Sequence, residues 1–246
     1  DGSRMNINSN GYVLGFAVLI CVVISAGLAA TATALGPAQQ AAAEFDRQKN
    51  VMVAGGLMQE GDTRPRAEIE ELYKKRVAEK VVDLQTGKVD PAKTSADVAA
   101  MTDPAEKARY RAIAVVLDDQ GKEEAFVLPT SGKGLWSTLY GYLALERDAS
   151  TVRGITFYAH AETPGLGGEV DNPQWKAQWK GKALRDERGE LVSVTVKKGK
   201  VDAGIPVEKR HYVDGLSGAT ITCNGVNKFV KADLQAFKPY LSQFWK

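Results

Sequence analysis

From Met5 to Ala43 no charged side chain occurs, and Tyr12 to Leu35 is almost wholly apolar or small. Crossing a bilayer as a helix takes about 20 such residues, so residues 11–36 are expected to form one transmembrane helix after a short N-terminal segment, 1–10, whose single basic residue, Arg4, leaves the orientation open. Ala30-Thr31-Ala32 and Ala32-Thr33-Ala34 have the form of small-residue signal cleavage sites, but the apolar run exceeds an ordinary signal core and reads as a retained anchor. Gly15, Ala17, Ser25, Ala26, Gly27, Ala29 and Ala30 would let neighbouring membrane helices pack closely against it.

Beyond Pro37 the pattern of Gln39 to Val53 continues as helix until Gly55-Gly56, so 37–60 is expected as a stalk and 61–246 as one domain. In Arg66 to Val82, Ile69, Leu72, Val77 and Val81 make one apolar stripe, which predicts a surface helix. Asp83 to Lys107, with Pro91 and Pro104, reads as irregular chain with short helices. The apolar runs Ala112–Leu117 and Ala125–Leu128, parted by a polar loop, predict a hairpin, with further strands at Val152–Ala159 and Leu191–Lys197. Helices are expected around Trp136–Leu145 and Pro173–Lys180, and from Thr220 onward, where Val226, Phe229, Val230, Leu234 and Phe237 share a face. This order indicates an α+β domain with an antiparallel sheet and flanking helices. No Gly-x-Gly-x-x-Gly follows a strand into a helix, which gives no support to a Rossmann nucleotide half.

Charge excludes one class of partner. The 246 residues carry 32 basic and 30 acidic side chains, interspersed, for a net +2, without the basic stripe that nucleic acids require. Of the two cysteines, Cys21 lies in the apolar run and Cys223 in the aqueous domain, so they do not pair, and Cys21 alone cannot hold an iron–sulfur cluster.

The segment with most chemistry is Asp214-Gly215-Leu216-Ser217-Gly218-Ala219-Thr220, at the entry to the last helix. A helix start offers unpaired N–H groups and the positive end of a dipole, where a phosphate is stabilised, so the Thr220 hydroxyl could carry a phosphoester. Gly215 and Gly218 allow backbone to approach a bulky ligand; Ser217 can cap the helix or donate to phosphate oxygens; Asp214 can fix the turn or help present a Mg2+-bound donor. From the residues alone, an Asp-Gly turn with a Ser or Thr cap is the competing reading.

This heptad resembles the Asp-x-x-(Ser/Thr)-Gly-Ala-Thr signature in which a flavin transferase moves FMN from FAD onto the last threonine. Gly132 to Leu145, His160-Ala161-Glu162-Thr163-Pro164-Gly165-Leu166-Gly167-Gly168-Glu169 and Asn172 to Trp179 resemble the FMN-binding domain in the same order. With the membrane segment, the chain resembles the NqrC family of Na+-translocating NADH:quinone reductases almost throughout its length. The resemblance implies an electron-relay subunit that bears FMN by a phosphoester on Thr220, passing electrons between redox centres of a complex that oxidises NADH, reduces ubiquinone and exports Na+. It further implies an inner-membrane, single-pass chain with residues 1–10 in the cytoplasm and its bulk on the periplasmic side, other membrane and redox subunits as partners, and a flavin transferase for maturation. This chain alone would not oxidise NADH, and its span has no acidic residue to bind Na+.

The pocket that follows from the resemblance comprises Asp214, Ser217, Gly218 and Ala219 beside Thr220, Glu162, Thr163, Gly165, Leu166 and Gly167 in the glycine-rich loop, and Lys133 and Trp136. Thr163 would add a hydroxyl bond, Leu166 cover a ring face, and Lys133 offset phosphate or reduced-flavin charge. Trp136 would stack on the ring or sit in the core. Trp175 and Trp179, four apart, are expected to pack. His160 could exchange a proton with reduced flavin or be structural, and His211 has no stronger claim. Two other readings remain: the G subunit of the related Rnf complex, and a membrane-anchored interaction module without redox chemistry.

Overall fold

The computed structural model describes residues 10–245, so the expected cytoplasmic segment 1–10 lies almost wholly outside the described residues. The chain divides into two units at Arg47/Gln48. The first is helical. Helix α1 (Asn10–Ala54) is long and apolar enough to cross a membrane, and its large apolar residues from Val13 to Leu28 stand exposed. It continues through Pro37 without a break, and its last residues belong to the second unit, where Val51, Met52 and Ala54 are buried. The stretch read as a stalk, 37–60, is therefore divided, its later part being core of the globular unit.

In the globular unit α2 (Arg66–Arg76) passes directly into β1 (Val77–Asp83). The helix predicted over 66–82 thus ends six residues early. Val77 already has extended dihedrals, and Val77, Val81 and Val82 are buried in the sheet. Spacing four apart fits a helix face, but these β-branched residues pack better on a pleated surface, and the tertiary contacts decide. A short β2 (Lys88–Val89) and the small helices α3 (Ser95–Ala100) and α4 (Pro104–Arg109) make up the irregular stretch. Then come β3 (Tyr110–Leu117), β4 (Glu123–Lys133), β5 (Thr138–Glu146) and β6 (Val152–Ala159), so the predicted hairpin is present and its second strand is longer than expected. All join in one antiparallel sheet of order β2-β1-β3-β4-β5-β6.

The expected helix at Trp136–Leu145 is β5. Gly141 to Leu145 are buried on both faces of a central strand, so polar alternation is missing, and a continuous apolar run is ambiguous between helix and strand. After β6 come α5 (Pro173–Ala177), β7 (Thr195–Val196), α6 (Pro206–His211), β8 (Tyr212–Val213) and α7 (Thr220–Leu241). Only two residues of the strand expected at 191–197 pair regularly, in parallel with β8, while Leu191 forms an isolated bridge to Arg185.

The sheet is covered on both faces. On one, α7 lays Val226, Phe229, Val230, Leu234 and Phe237 across Phe126, Leu128, Leu143 and Leu145. On the other, the end of α1 sits over Val116 and Val127, with the Ala54 carbonyl against Gly154. Glycine sets how near α7 comes: a Cβ on Gly132 would meet Phe229 at 2.2 Å, and one on Gly225 would meet the Lys133 carbonyl oxygen at 2.3 Å.

Two polar anchors fix the register of α7. β4 outruns β3, whose pairing with it reaches only Val127, so Pro129 falls where its missing N–H disturbs no ladder on that side. Farther along, the Ser131 amide and the Thr130 hydroxyl donate to Asp233 on α7 at 3.1 and 2.7 Å. Burial pushes the Asp233 carboxyl up, only partly offset by those two bonds. Asn227 exchanges two bonds with the Val196 backbone, 2.6 and 3.0 Å. Elsewhere, buried Lys176 pairs with Glu60 and Asp171, fastening the segment after α1 to α5. Trp175 and Trp179 pack edge to face at 5.7 Å in the core, as expected.

Since Leu234 is fully buried, Leu234→Ala should cost about 2–5 kcal/mol in denaturant unfolding of the full chain followed by tryptophan fluorescence. Exposed Lys231→Ala should stay within about 0.5 kcal/mol; equal losses from both would place the helix wrongly.

Candidate functional site: three loops at the start of helix α7

Three segments meet where α7 begins. The first is the 134–137 turn between β4 and β5, closed by a bond of 2.8 Å from the Gly134 amide to the Ser137 carbonyl. The second is the 160–168 loop after β6, in which the Leu166 and Gly168 amides both donate to the Thr163 carbonyl, at 3.1 and 2.9 Å. The third is the 214–222 turn and first helical residues. The Ser137 hydroxyl joins the first two by accepting from the Ala161 amide at 2.7 Å.

Thr220 is the first residue of the 22-residue helix and is exposed. The residue before it, Ala219, provides no side-chain cap. Ser217 therefore does not cap the helix, the first of its two expected roles, and stands exposed beside it. The first intrahelical bond runs from Cys223 to the Ala219 carbonyl, which leaves the Thr220, Ile221 and Thr222 amides ahead of it at the positive end of the dipole. Such a terminus takes an anion. Gly218 has φ +72°, which L side chains rarely adopt, and a Cβ there would meet Leu166 at 2.6 Å, so the second and third segments touch at this glycine.

Asp214 holds the turn from outside. Its carboxylate accepts from the Val201 amide at 2.7 Å and from Lys200 at 3.1 Å, its amide donates to Gln178, and its carbonyl accepts from the Trp175 indole at 2.7 Å. Burial opposes its charge, but the Val201 and Lys200 contacts outweigh burial and hold the carboxyl below its ordinary value. Of the two roles expected for Asp214, fixing the turn is the one these contacts serve.

Glu162 is the centre of the arrangement, 4 % exposed. Its Oε1 accepts from the Trp136 and Ser137 amides at 2.9 and 3.1 Å; its Oε2 accepts from the Leu135 amide at 3.2 Å and the Thr222 hydroxyl at 2.6 Å. Burial pushes this carboxyl up, yet the Thr222 hydroxyl and the three amides together overcome burial and hold it below 4.5. Around this hub Leu135, Trp136, Leu166 and Ile221 expose apolar surface, Trp136 being 66 % exposed. The core alternative for Trp136 is thus excluded. Lys133 is exposed, with Nζ 3.4 Å from the Trp136 carbonyl. Thr163 and Gly165 lie exposed in the loop, and Gly167 is buried against Thr222 and Glu162.

The other expected candidates are accounted for by ordinary bonds. His160 Nδ1 accepts from the Glu162 amide at 3.3 Å, and buried His211 bonds the Ala183 carbonyl at 2.7 Å. Cys223 is buried, which pushes its thiol up and leaves it unreactive. Thr222 had no assigned role in the sequence, although a signal existed. It follows Thr220 by two positions, roughly 200° around a helix, so an outward Thr220 requires an inward Thr222. A cleft of about 1000 Å³ lies at the other end of β4 between Lys122, Phe126, Arg147, Arg185 and Phe244, away from this convergence.

An uncapped helix start bearing an exposed hydroxyl, a nearby lysine and an apolar rim suits a phosphorylated, flat aromatic group. Residues 134–235 match the FMN-binding domain family, which covers all three segments of the site except Lys133. Fold and site together define an FMN-binding domain that follows an apolar helix. The C subunit of the Na+-translocating NADH-quinone reductase of Pseudomonas aeruginosa is 42 % identical over 243 residues, covering 92 % of this chain and 91 % of that one. The same subunit of Haemophilus ducreyi is 37 % identical, covering 98 % and 97 %. The crystal structure of NqrC from Shewanella oneidensis superposes with a TM-score of 0.68 at 32 % identity, over 82 % of this chain and 98 % of that one. The chain belongs to the NqrC family, the C subunits of Na+-translocating NADH-quinone reductases.

Glu162 is ionised in the fold at a lower pH than in the unfolded chain. Its contribution to stability is therefore complete above about pH 4.5 and is lost as pH falls through the depressed folded-state value. Below that pH, Glu162→Gln should lose unfolding free energy less steeply than wild type in urea titrations. Asp83, Asp148 and Asp214 are also depressed but are common to both proteins. Equal acid slopes would show that Glu162 is not held ionised.

Proposed function

We propose that this chain is the electron-relay subunit of a Na+-translocating NADH:quinone reductase, and that it carries FMN covalently through a phosphoester on Thr220. Its relatives are named as subunits of that oxidoreductase, which supports a place among partner subunits, and in this reading those partners are its other membrane and redox subunits. The observation that carries the attachment is Thr220 itself, an exposed hydroxyl at the first position of a long uncapped helix within the FMN-binding domain. FMN, when bound, supplies reversible one- and two-electron chemistry.

The residues have separable tasks. In maturation by a flavin transferase, the Thr220 hydroxyl loses its proton to a base of that enzyme and bonds to the FMN phosphorus of FAD as AMP leaves. The amides of Thr220, Ile221 and Thr222 and the exposed Ser217 hydroxyl would then be available to hold the phosphate. Lys133 would offset part of its charge, Trp136 and Leu166 would offer apolar surface to the ring, the exposed Thr163 and Gly165 would bring polar groups near its edge, and Gly167, buried against Glu162 and Thr222, would let the loop close on the helix start. In this reading NADH is oxidised elsewhere in the complex, and electrons enter and leave through neighbouring subunits. The apolar part of α1, at residues 11–36, serves as the membrane anchor, with the N-terminus in the cytoplasm and the globular domain on the periplasmic side of the inner membrane.

Co-expression with a flavin transferase should give a denatured band that fluoresces as flavin and a Thr220 peptide with the mass increment of FMN. Thr220→Val removes the nucleophile at an exposed site and should abolish both signals, while changing stability by less than about 0.5 kcal/mol. Covalent flavin retained in that variant would refute the assignment.

A further inference from the structure

We propose that Glu162 and Thr222 are positioning residues that lock the 134–137 turn and the first turn of α7 into one frame behind Thr220, and that the Glu162 charge holds down the reduction potential of the flavin. This rests on the flavin reading above.

A carboxylate offers about four lone-pair sites, and Glu162 uses four: the Trp136 and Ser137 amides on Oε1, the Leu135 amide and the Thr222 hydroxyl on Oε2. Moving either segment would unpair a buried charge, which is far costlier than breaking an exposed bond. Packing leaves no slack around the carboxylate. A Cβ on Gly134 would come within 2.7 Å of Oε1, and one on Gly167 within 2.7 Å of Oε2 and 2.6 Å of the Thr222 hydroxyl. The site could not move by bending one loop alone.

The bonds to Glu162 come from amides and a hydroxyl rather than from a cation, so its negative charge is spread but not cancelled. It sits beside the positive end of α7 and takes the inner flank of the helix start through the Thr222 side chain, leaving the backbone amides for the phosphate. Reduction of a flavin adds negative charge, which a fixed buried carboxylate opposes.

The test uses the full-length chain co-expressed with a flavin transferase, as wild type, Glu162→Gln, Thr222→Val and Thr222→Ser. Three quantities are read: FMN on the Thr220 peptide by mass, the flavin midpoint potential by spectroelectrochemical titration, and hydrogen exchange of the 135–137 amides. Glu162→Gln should keep FMN on Thr220 and shift the potential to more positive values. Thr222→Val should speed exchange at 135–137 by roughly tenfold or more with a smaller change of potential, and Thr222→Ser should restore slow exchange. An unchanged potential in flavinylated Glu162→Gln, or unchanged exchange in Thr222→Val, overturns the proposal. Should Glu162→Gln fail to fold, the two Thr222 variants decide. Wild type without FMN on Thr220 would instead sink the flavin reading and the redox half with it, and exchange in the flavin-free chain would still judge the lock.

Discussion

The domain depends on the close seating of α7 across the β4–β5 sheet. The apolar stripe of that helix supplies the driving force, burying Val226, Val230 and Leu234 among sheet residues that are themselves almost wholly shielded. Apolar burial has no direction, however, and would tolerate a helix shifted along its axis. The register comes from the absence of side chains at Gly132 and Gly225 and from two polar anchors, Asp233 to the part of β4 that extends beyond β3 and Asn227 to β7. Together these bring the start of the helix, and Thr220 with it, to one corner of the sheet.

At that corner the polar bookkeeping becomes chemistry. Loops that turn sharply leave amides without ladder partners, and each buried one must find an acceptor. One carboxylate, Glu162, answers three of them at the 134–137 turn and still reaches the helix through Thr222. Because the inner side is satisfied in this way, the outer side can remain unsatisfied: the Thr220 helix start has no side-chain cap, and Trp136 and Leu166 stand exposed. A site that binds a phosphorylated aromatic ligand has to withhold some groups from the fold, and this one withholds them where Glu162 ties two segments together.

Legibility in the sequence followed periodicity and chemistry, and it failed where two periods coincide. The apolar N-terminal helix, the β3–β4 hairpin, β6 and α7 were readable because each has one period and a clear polar boundary. β5 was misread as helix because Gly141 to Leu145 are covered on both faces, which erases alternation. Val77 to Val82 were misread because a spacing of four fits a helix as well as a bilaterally covered strand. The Asp214 to Thr220 segment was legible as the entry to the last helix, with Thr220 its first residue, inside the stretch that matches the FMN-binding domain family. Glu162 was noticed for its loop, but its partners are 25 or more residues away in sequence, and no local pattern names them.

By itself, then, the sequence determined the membrane-length helix, the α+β class and the threonine at a helix start, since these rest on hydrophobic period, residue type and neighbours within a few positions. Only the tertiary structure decided that Ser217 leaves the helix uncapped, that Trp136 faces outward, and that Thr222 turns inward to a carboxylate sixty positions earlier in the chain. The physical reason is that hydrogen-bond satisfaction and burial are settled between segments, and the choice of partner depends on which loops the sheet brings to the same corner.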